Sequence, residues 1–484
     1  MTLKDVLPPP QRRAFGQSRR KQVRRQQQRW RAADRQTDPI DALAVSSVGR
    51  VPALLTIKFE RMAASPFGFF RGAVPVMAAD LAVLPHTGIF TQLCGDAHVR
   101  NLGAFAAPDG RLVFDINDFD ETIRGPFEWD LKRMATSIVL AGREAGGKKA
   151  ACDEATAVLL RSYSRSMHTF ARMPVLDVAR FQVHRLQRIA PVSQVLRKAE
   201  RATPLYNAQH LTELPRVASK GGKNATPAHR IFVEHKPLQY RLSPAKASII
   251  LDSLSPYRQT LLPERQHFFD QYRPLDVAFR VVGTGSVGLR DYIIYMEGNG
   301  PEDPLFLQIK EEPGSAYAPY LGEMGAPQHQ GRRVVQGQRA MQFLSDLLLG
   351  WTTIHNRQYL VRQLNDHKAS IEMEDLKGVG LSQYAEICGE LLARGHARSG
   401  DALALAGYIG NSDRFVDAIG AFAVDYADQT ELDYKTFLHS RFAPRTAPKK
   451  AAPSKVKGKA KGKVKRRRKP LQPPPVVKES VPRA

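Results

Sequence analysis

The chain has 484 residues, 43% of them hydrophobic, and a formal net charge of +25, which is room for two or three domains or for one two-lobed enzyme with tails. Three widely spaced cysteines (Cys94, Cys152, Cys388) argue against a disulfide framework or a paired metal-ligand motif, and the lack of any apolar run of about 18 residues argues against a membrane-spanning helix. The positive charge sits at the ends: residues 1–40 carry +8 and 445–484 carry +14, so 41–444 keep +3, and the body does not read as a nucleic-acid-binding domain.

The first element is an Arg- and Gln-rich arm, residues 1–40, with runs such as Arg24-Arg25-Gln26-Gln27-Gln28-Arg29. Few apolar residues anchor it, so it is expected as a solvated, disordered extension with weak, salt-sensitive contact to nucleic acid or another polyanion as its functional alternative. It lacks the apolar stretch of a secretory leader, and a reducing, cytoplasmic setting is expected.

The chemistry begins where a short apolar strand end (Ile89, Phe90, Leu93) runs into Gly95-Asp96-Ala97-His98-Val99-Arg100-Asn101. In kinases an Asp followed five positions later by an Asn serves one reaction, the Asp orienting or deprotonating the attacking hydroxyl and the Asn holding magnesium. His98 is either a substrate or metal neighbour or a histidine that braces the loop. Pro108-Asp109-Gly110 is a turn signal, so 101–119 is expected as a hairpin leading into Asp115-Ile116-Asn117-Asp118-Phe119-Asp120-Glu121. Hard oxygen ligands suit magnesium, with Asp118 the first candidate and Asp115 the second.

Helices are expected over 128–145 and 150–170 from apolar residues at helical spacing (Leu131, Met134, Ile138; Leu159, Leu160, Tyr163), and a loop over 216–230 around Lys220-Gly221-Gly222-Lys223. Strands are expected over 277–297 and 304–311. Within the first of these segments lies Gly283-Thr284-Gly285-Ser286-Val287-Gly288. A dinucleotide site needs a helix after such glycines, whereas Tyr292-Ile293-Ile294-Tyr295 is strand-like, so Gly283, Gly285, Ser286 and Gly288 are read as a phosphate-covering hairpin. In Leu305-Phe306-Leu307-Gln308-Ile309-Lys310 the alternation sends Lys310 toward a cleft, as a phosphate-pairing lysine. Its glutamate partner is not evident; Glu311 and Glu323 are the candidates. Helices are expected over 333–350 and 382–397, the second holding a structural His396, with a strand Gln358–Leu364 between them. Beyond 444 the Lys-, Ala- and Pro-rich composition predicts disorder.

Gly95-Asp96-x-His98-x-x-Asn101, Asn117-Asp118-Phe119 and, after Pro126, Asp130-Leu131 together resemble the aminoglycoside and choline phosphotransferase branch of the kinase-like enzymes. One departure is Cys94, where those enzymes usually have His; it is expected as a packing residue, with no base or cation to activate it. The resemblance implies a two-lobed, kinase-like α+β fold, ATP and Mg2+ as cofactors, and Asp130 as a structural residue. The order is unusual, because the catalytic motifs precede the glycine loop and lysine; a circular permutation would rejoin them. The arrangement over 45–440, including Ser65–Gly72 and Tyr426-Ala427-Asp428-Gln429, is similar to the bacterial domain of unknown function 2252 family. The expected organisation is an arm (1–40), a first helical part (41–276), a nucleotide-binding β lobe (277–365), a second helical part (366–444) and a tail (445–484). The expected activity is phosphoryl transfer to a hydroxyl on a small molecule in preference to a protein, with Arg71 and Arg398 as candidate anchors for an anionic substrate. Nucleotidyl transfer, a non-catalytic nucleotide sensor and a polyanion-binding protein acting through the tails are the alternatives.

Overall fold

Apolar residues alternating with polar ones around Leu305–Lys310, and the β-branched and aromatic run at 291–297, favour pleated strands packed on both sides. In the computed structural model, which describes residues 6–183, 189–215, 229–281, 283–364 and 367–444, they form the centre of a six-stranded antiparallel sheet. Its order is Gly350–Ile354, Arg357–Gln363, Pro304–Glu311, Asp291–Glu297, Arg273–Arg280, Gln239–Arg241. Helix Gln330–Met341 packs on the first two of these strands. Tyr257 and Phe269, from short helices after residue 244, share a core with Val277, Ile294 and Leu307. The sheet thus recruits Gln239–Arg241 and these helices from before residue 277, and the helices fill one of its cores.

The other body of the α+β fold is helical. Phe127–Glu144, Lys149–Phe170, Val379–Ser399 and Arg414–Leu438 pack together around one core that includes Leu131, Leu159, Tyr163, Leu391 and Phe422. On it ride two small antiparallel pairings: Phe90–Leu93 with Ile123–Pro126, and the hairpin Leu102–Ala106 with Leu112–Ile116. No helix among the described residues is long and apolar enough to cross a membrane.

Two expectations are corrected. Residues 6–40 are not a solvated arm. Helix Pro9–Gln22 lies on helix Ala402–Ile409 so closely that a Cβ on Gly16 would stand 1.9 Å from the Ala404 carbonyl oxygen, and one on Gly407 2.4 Å from that of Arg13. Arg12 forks onto Asp401 at 2.7 and 2.9 Å, Trp30 is buried against Tyr426, and Arg35 pairs with Asp80 and Asp433. Glycine contacts and ion pairs anchor a segment whose apolar content alone would not. The helix expected over 333–350 ends at Met341. Gln342 turns to donate to the Ile116 carbonyl (2.7 Å), and Asp346 accepts from the Leu348 and Gln363 amides (2.8 and 2.6 Å), leading the chain into strand Gly350–Ile354. The stretch 219–223 and the tail 445–484 lie outside the described residues.

Candidate active site

The loop at Cys94–Asn101 is held by one face of helix Phe127–Glu144. Asp130, Arg133 and Ser137 recur at i, i+3 and i+7, the spacing that aligns side chains on a helix. Asp130 accepts from the Cys94 and Gly95 amides at 2.7 and 2.9 Å. Arg133 donates to Asp96 Oδ1, at 2.8 Å from Nε, and Ser137 Oγ accepts from the Val99 amide at 3.2 Å. Behind Asp130 stands His396 Nε2 at 3.3 Å, with the Tyr163 hydroxyl 2.8 Å from its Nδ1, so His396 is a brace. Cys94 is buried, and burial and Asp130 push its thiol up, away from reactivity.

Gly95 has φ +84°, and a Cβ there would stand 2.2 Å from the Glu121 carbonyl oxygen. Gly95→Ala should therefore cost roughly 2–4 kcal/mol, combining left-handed strain with a backbone clash; urea denaturation checks this, and a loss below about 1 kcal/mol would show that the loop adapts.

Asp96, Asn101 and Asp118 meet in one cleft of about 320 Å3, together with Gly283, Gly285, Ser286 and His98, and with Arg50, Arg71, Arg100, Asp120, Glu121 and Lys368. The Asn101 amide donates to the backbone carbonyls of Asp96 (2.8 Å) and Asp118 (3.0 Å), tying the two loops together. Burial alone would raise the Asp96 pKa, but Arg133 and His98, whose Nε2 is 3.5 Å away, hold it well below the usual carboxylate range. Burial lowers His98 in spite of Asp96.

Lys310 crosses from the sheet to the carboxylates of the helical body. Its Nζ is hydrogen-bonded to Asp120 Oδ2 and lies 3.8 Å from Asp118 Oδ1. Burial would depress this lysine, yet Asp118 and Asp120 raise it above its ordinary range. In turn, Lys310 and Arg362 outweigh burial and keep Asp118 down at about 2, while burial and the Asp118 charge push Asp120 up. Glu311, one expected partner, faces away and pairs with Arg290 and Arg357; Glu323 makes no ion pair with Lys310 among the described residues. On the helix that follows the strand, the buried Arg333 donates to the Thr122 and Pro313 carbonyls.

Asp115 is not part of this cleft. It lies in strand Leu112–Ile116, 2% exposed, and pairs with the buried Arg394. Gly288 is also outside: its carbonyl accepts from the Val51 amide at 2.7 Å. The glycine loop is anchored by the segment before the Cys94–Asn101 loop, Arg50 donating to the Gly285 and Val287 carbonyls (2.8 and 2.7 Å) and Arg61 to that of Gly283. Arg71 lines the cleft with a buried Nε that has no hydrogen-bond partner, whereas Arg398 is turned to the Ala179 carbonyl. Asp120, Arg50 and Lys368 were not singled out from the sequence; Arg133 was recoverable, as a polar residue in register with Asp130 on a buried helix face.

The Lys310 face of the sheet continues in polar residues. Gln308 donates to Asp291 Oδ2 at 2.6 Å and accepts from Arg362 at 2.9 Å, leaving Asp291 Oδ1 buried without a partner. Burial raises Asp291 to about 7 against the pull of Lys310. The unfolded carboxyl titrates near 4, so between about pH 4 and 7 the folded chain holds a proton that the unfolded chain has lost. The contribution is complete below pH 4 and disappears as pH rises through 7. Asp291→Asn should flatten that slope and exceed wild type by about 1–3 kcal/mol at pH 8; equal slopes in thermal melts from pH 4 to 8 would sink the assignment.

Among the described residues no three His, Cys, Asp or Glu side chains converge as a ready-made metal cluster. Asn101 and Asp118, with the Oδ1 atoms of Asp118 and Asp120 buried and accepting no hydrogen bond, fit an ion that completes its shell with water and phosphate oxygens. No curated protein and no solved structure shows a significant match to the chain. Residues 50–440 match the family described as an uncharacterized protein conserved in bacteria, DUF2252, and with most of its length inside that match the chain belongs to this family.

Proposed function

We propose that the cleft transfers the terminal phosphoryl group of ATP, with Mg2+, to a hydroxyl acceptor, a small molecule in preference to a protein. The observation that carries this reading is the meeting of Lys310 with Asp118 and Asp120, 190 residues away from Asp120 in sequence, in the cleft that also holds Asp96 and Gly283–Ser286. A kinase-like, circularly permuted fold accounts for it. Strand, glycine loop, strand, lysine strand, helix and two strands follow one another from 273 to 363. The catalytic loop, expected after a helix such as Val379–Ser399, is instead supplied from 95–101.

Asp96, kept anionic by Arg133, accepts a hydrogen bond from the acceptor hydroxyl and orients it. A carboxylate so acidic is a weak base, and the loose transition state of phosphoryl transfer asks for little base strength. Asn101 and Asp118 hold the metal, while Lys310 keeps Asp120 in place. When bound, the ion neutralises charge on the phosphates. Lys310, Arg71 and Lys368 add cationic charge for the triphosphate, and the anchored glycine loop closes the site above it. An ATP-dependent reaction of this kind belongs in the cytoplasm. The test is ATP turnover and thermal shift on the full chain, with and without magnesium; no turnover and no nucleotide-dependent shift would sink the reading.

A further inference from the structure

Away from the cleft, a second concavity of about 730 Å3 is lined by Arg20, Arg24, Arg25, Arg29 and Arg414, with Asp417 the carboxylate among the lining residues. We infer that this arginine pocket is a binding site for a compact multi-phosphate anion, a chain of linked phosphate groups small enough to enter the concavity.

Five guanidinium groups share this lining with one carboxylate; outside the lining, Asp425 lies near Arg29, and Asp413, the residue before Arg414, pairs with Arg161. Like charges so gathered repel one another unless a ligand supplies the missing negative charge. The cluster is not a loose surface fringe. Arg20 Nε donates to the Tyr408 carbonyl at 2.9 Å and its Nη2 to that of Gly407, while Arg25 Nη2 donates to Tyr408 at 3.3 Å. These are carbonyls of the last turn of helix Ala402–Ile409, so a rigid element fixes both side chains. Burial lowers the pKa of each, and for Arg25 the charges of Arg20 and Arg414 lower it further.

A second feature adds to the first. Arg414 opens the 25-residue helix Arg414–Leu438, whose first turn has no side-chain cap. Arg414, Asp417 and Ala418 put that turn in the pocket wall, and unpaired amides and the helix dipole there favour an anion. Guanidinium groups bind phosphate oxygens in bidentate fashion. Their convergence on a concavity, rather than along a stripe, suits a compact anion better than an extended nucleic-acid strand. Residues 20–29 precede the matched family region while Arg414 lies within it, so the pocket joins the two.

The test is hydrogen–deuterium exchange on the full chain with inorganic tripolyphosphate, which separates this pocket from the cleft and the basic tail. Protection of 20–29 and 407–418 is expected. In the double variant Arg24→Ala/Arg29→Ala, both side chains exposed and away from the Tyr408 carbonyl, that protection should need roughly tenfold or more higher tripolyphosphate, since each charge-assisted contact carries about that much affinity. Magnesium-dependent ATP turnover should stay unchanged. No protection of these segments, protection unaltered by the double variant, or equal protection by the same concentration of sulfate would overturn the inference. So would protection by a single-stranded oligonucleotide but not by tripolyphosphate.

Discussion

Asp118→Asn should abolish magnesium-dependent ATP turnover, lowering kcat by about 10²–10³-fold or more, while leaving the fold intact. The side chain as a whole is 44% exposed, and at 3.8 Å its contact with Lys310 is too long for a hydrogen bond. Its loss also relieves the repulsion that pushes Asp120 up, and Lys310 keeps its hydrogen bond to Asp120. Apo stability should therefore change by less than about 1 kcal/mol, whereas the extra thermal shift given by magnesium with ATP should vanish. Turnover within a few-fold of wild type would remove Asp118 from the machinery. A collapsed melting temperature would mean that its role is structural.

The opposite profile is expected of the neighbouring carboxylate. Arg394→Met leaves Asp115 charged and unpaired at a site where both partners are nearly inaccessible, with side-chain exposures of 2% and 3%. Removing one half of such a buried pair costs about 3–5 kcal/mol. Asp115 keeps hydrogen bonds from the Ile116 and Phe343 amides, but they do not replace a guanidinium. Adding Asp115→Leu should recover much of the loss, because removing both charges together is often close to neutral. Urea denaturation of the single and double variants measures this. A single-variant loss below about 1 kcal/mol, or no recovery in the double variant, would contradict the pairing. Per folded molecule, ATP turnover should survive both changes, which separates Asp115 from Asp118 although only two residues lie between them.

That separation shows where sequence spacing stops being informative. The Asp96–Asn101 interval, the 102–116 hairpin and the Asp130 helix were readable because each depends on local periodicity and turn chemistry. The orientation of Lys310 was readable from strand alternation. Spacing put Asp118 ahead of Asp115 but could neither exclude Asp115 nor single out Asp120, because strand alternation ends at Ile116 and Arg394, which claims Asp115, comes 279 residues later. The candidate partners of Lys310 were the nearby Glu311 and Glu323, but the carboxylates that meet it arrive from the other body of the fold. Over residues 6–40 the arm was misread for a similar reason: composition counts apolar side chains and does not register the approach of Gly16 to the Ala404 backbone.

The braces behind Asp130 and Asp115 also set the order in which the protein can be completed during synthesis. The catalytic loop leaves the ribosome early, but His396 and Arg394 follow 266 and 279 residues behind their partners, and Asp401 follows Arg12 by 389. Such closures are entropically costly and slow, and a nascent chain cannot make them. A partly translated chain holds every catalytic side chain of the 95–120 region without the struts that fix them. The proposed turnover should therefore appear only when the last helices have emerged.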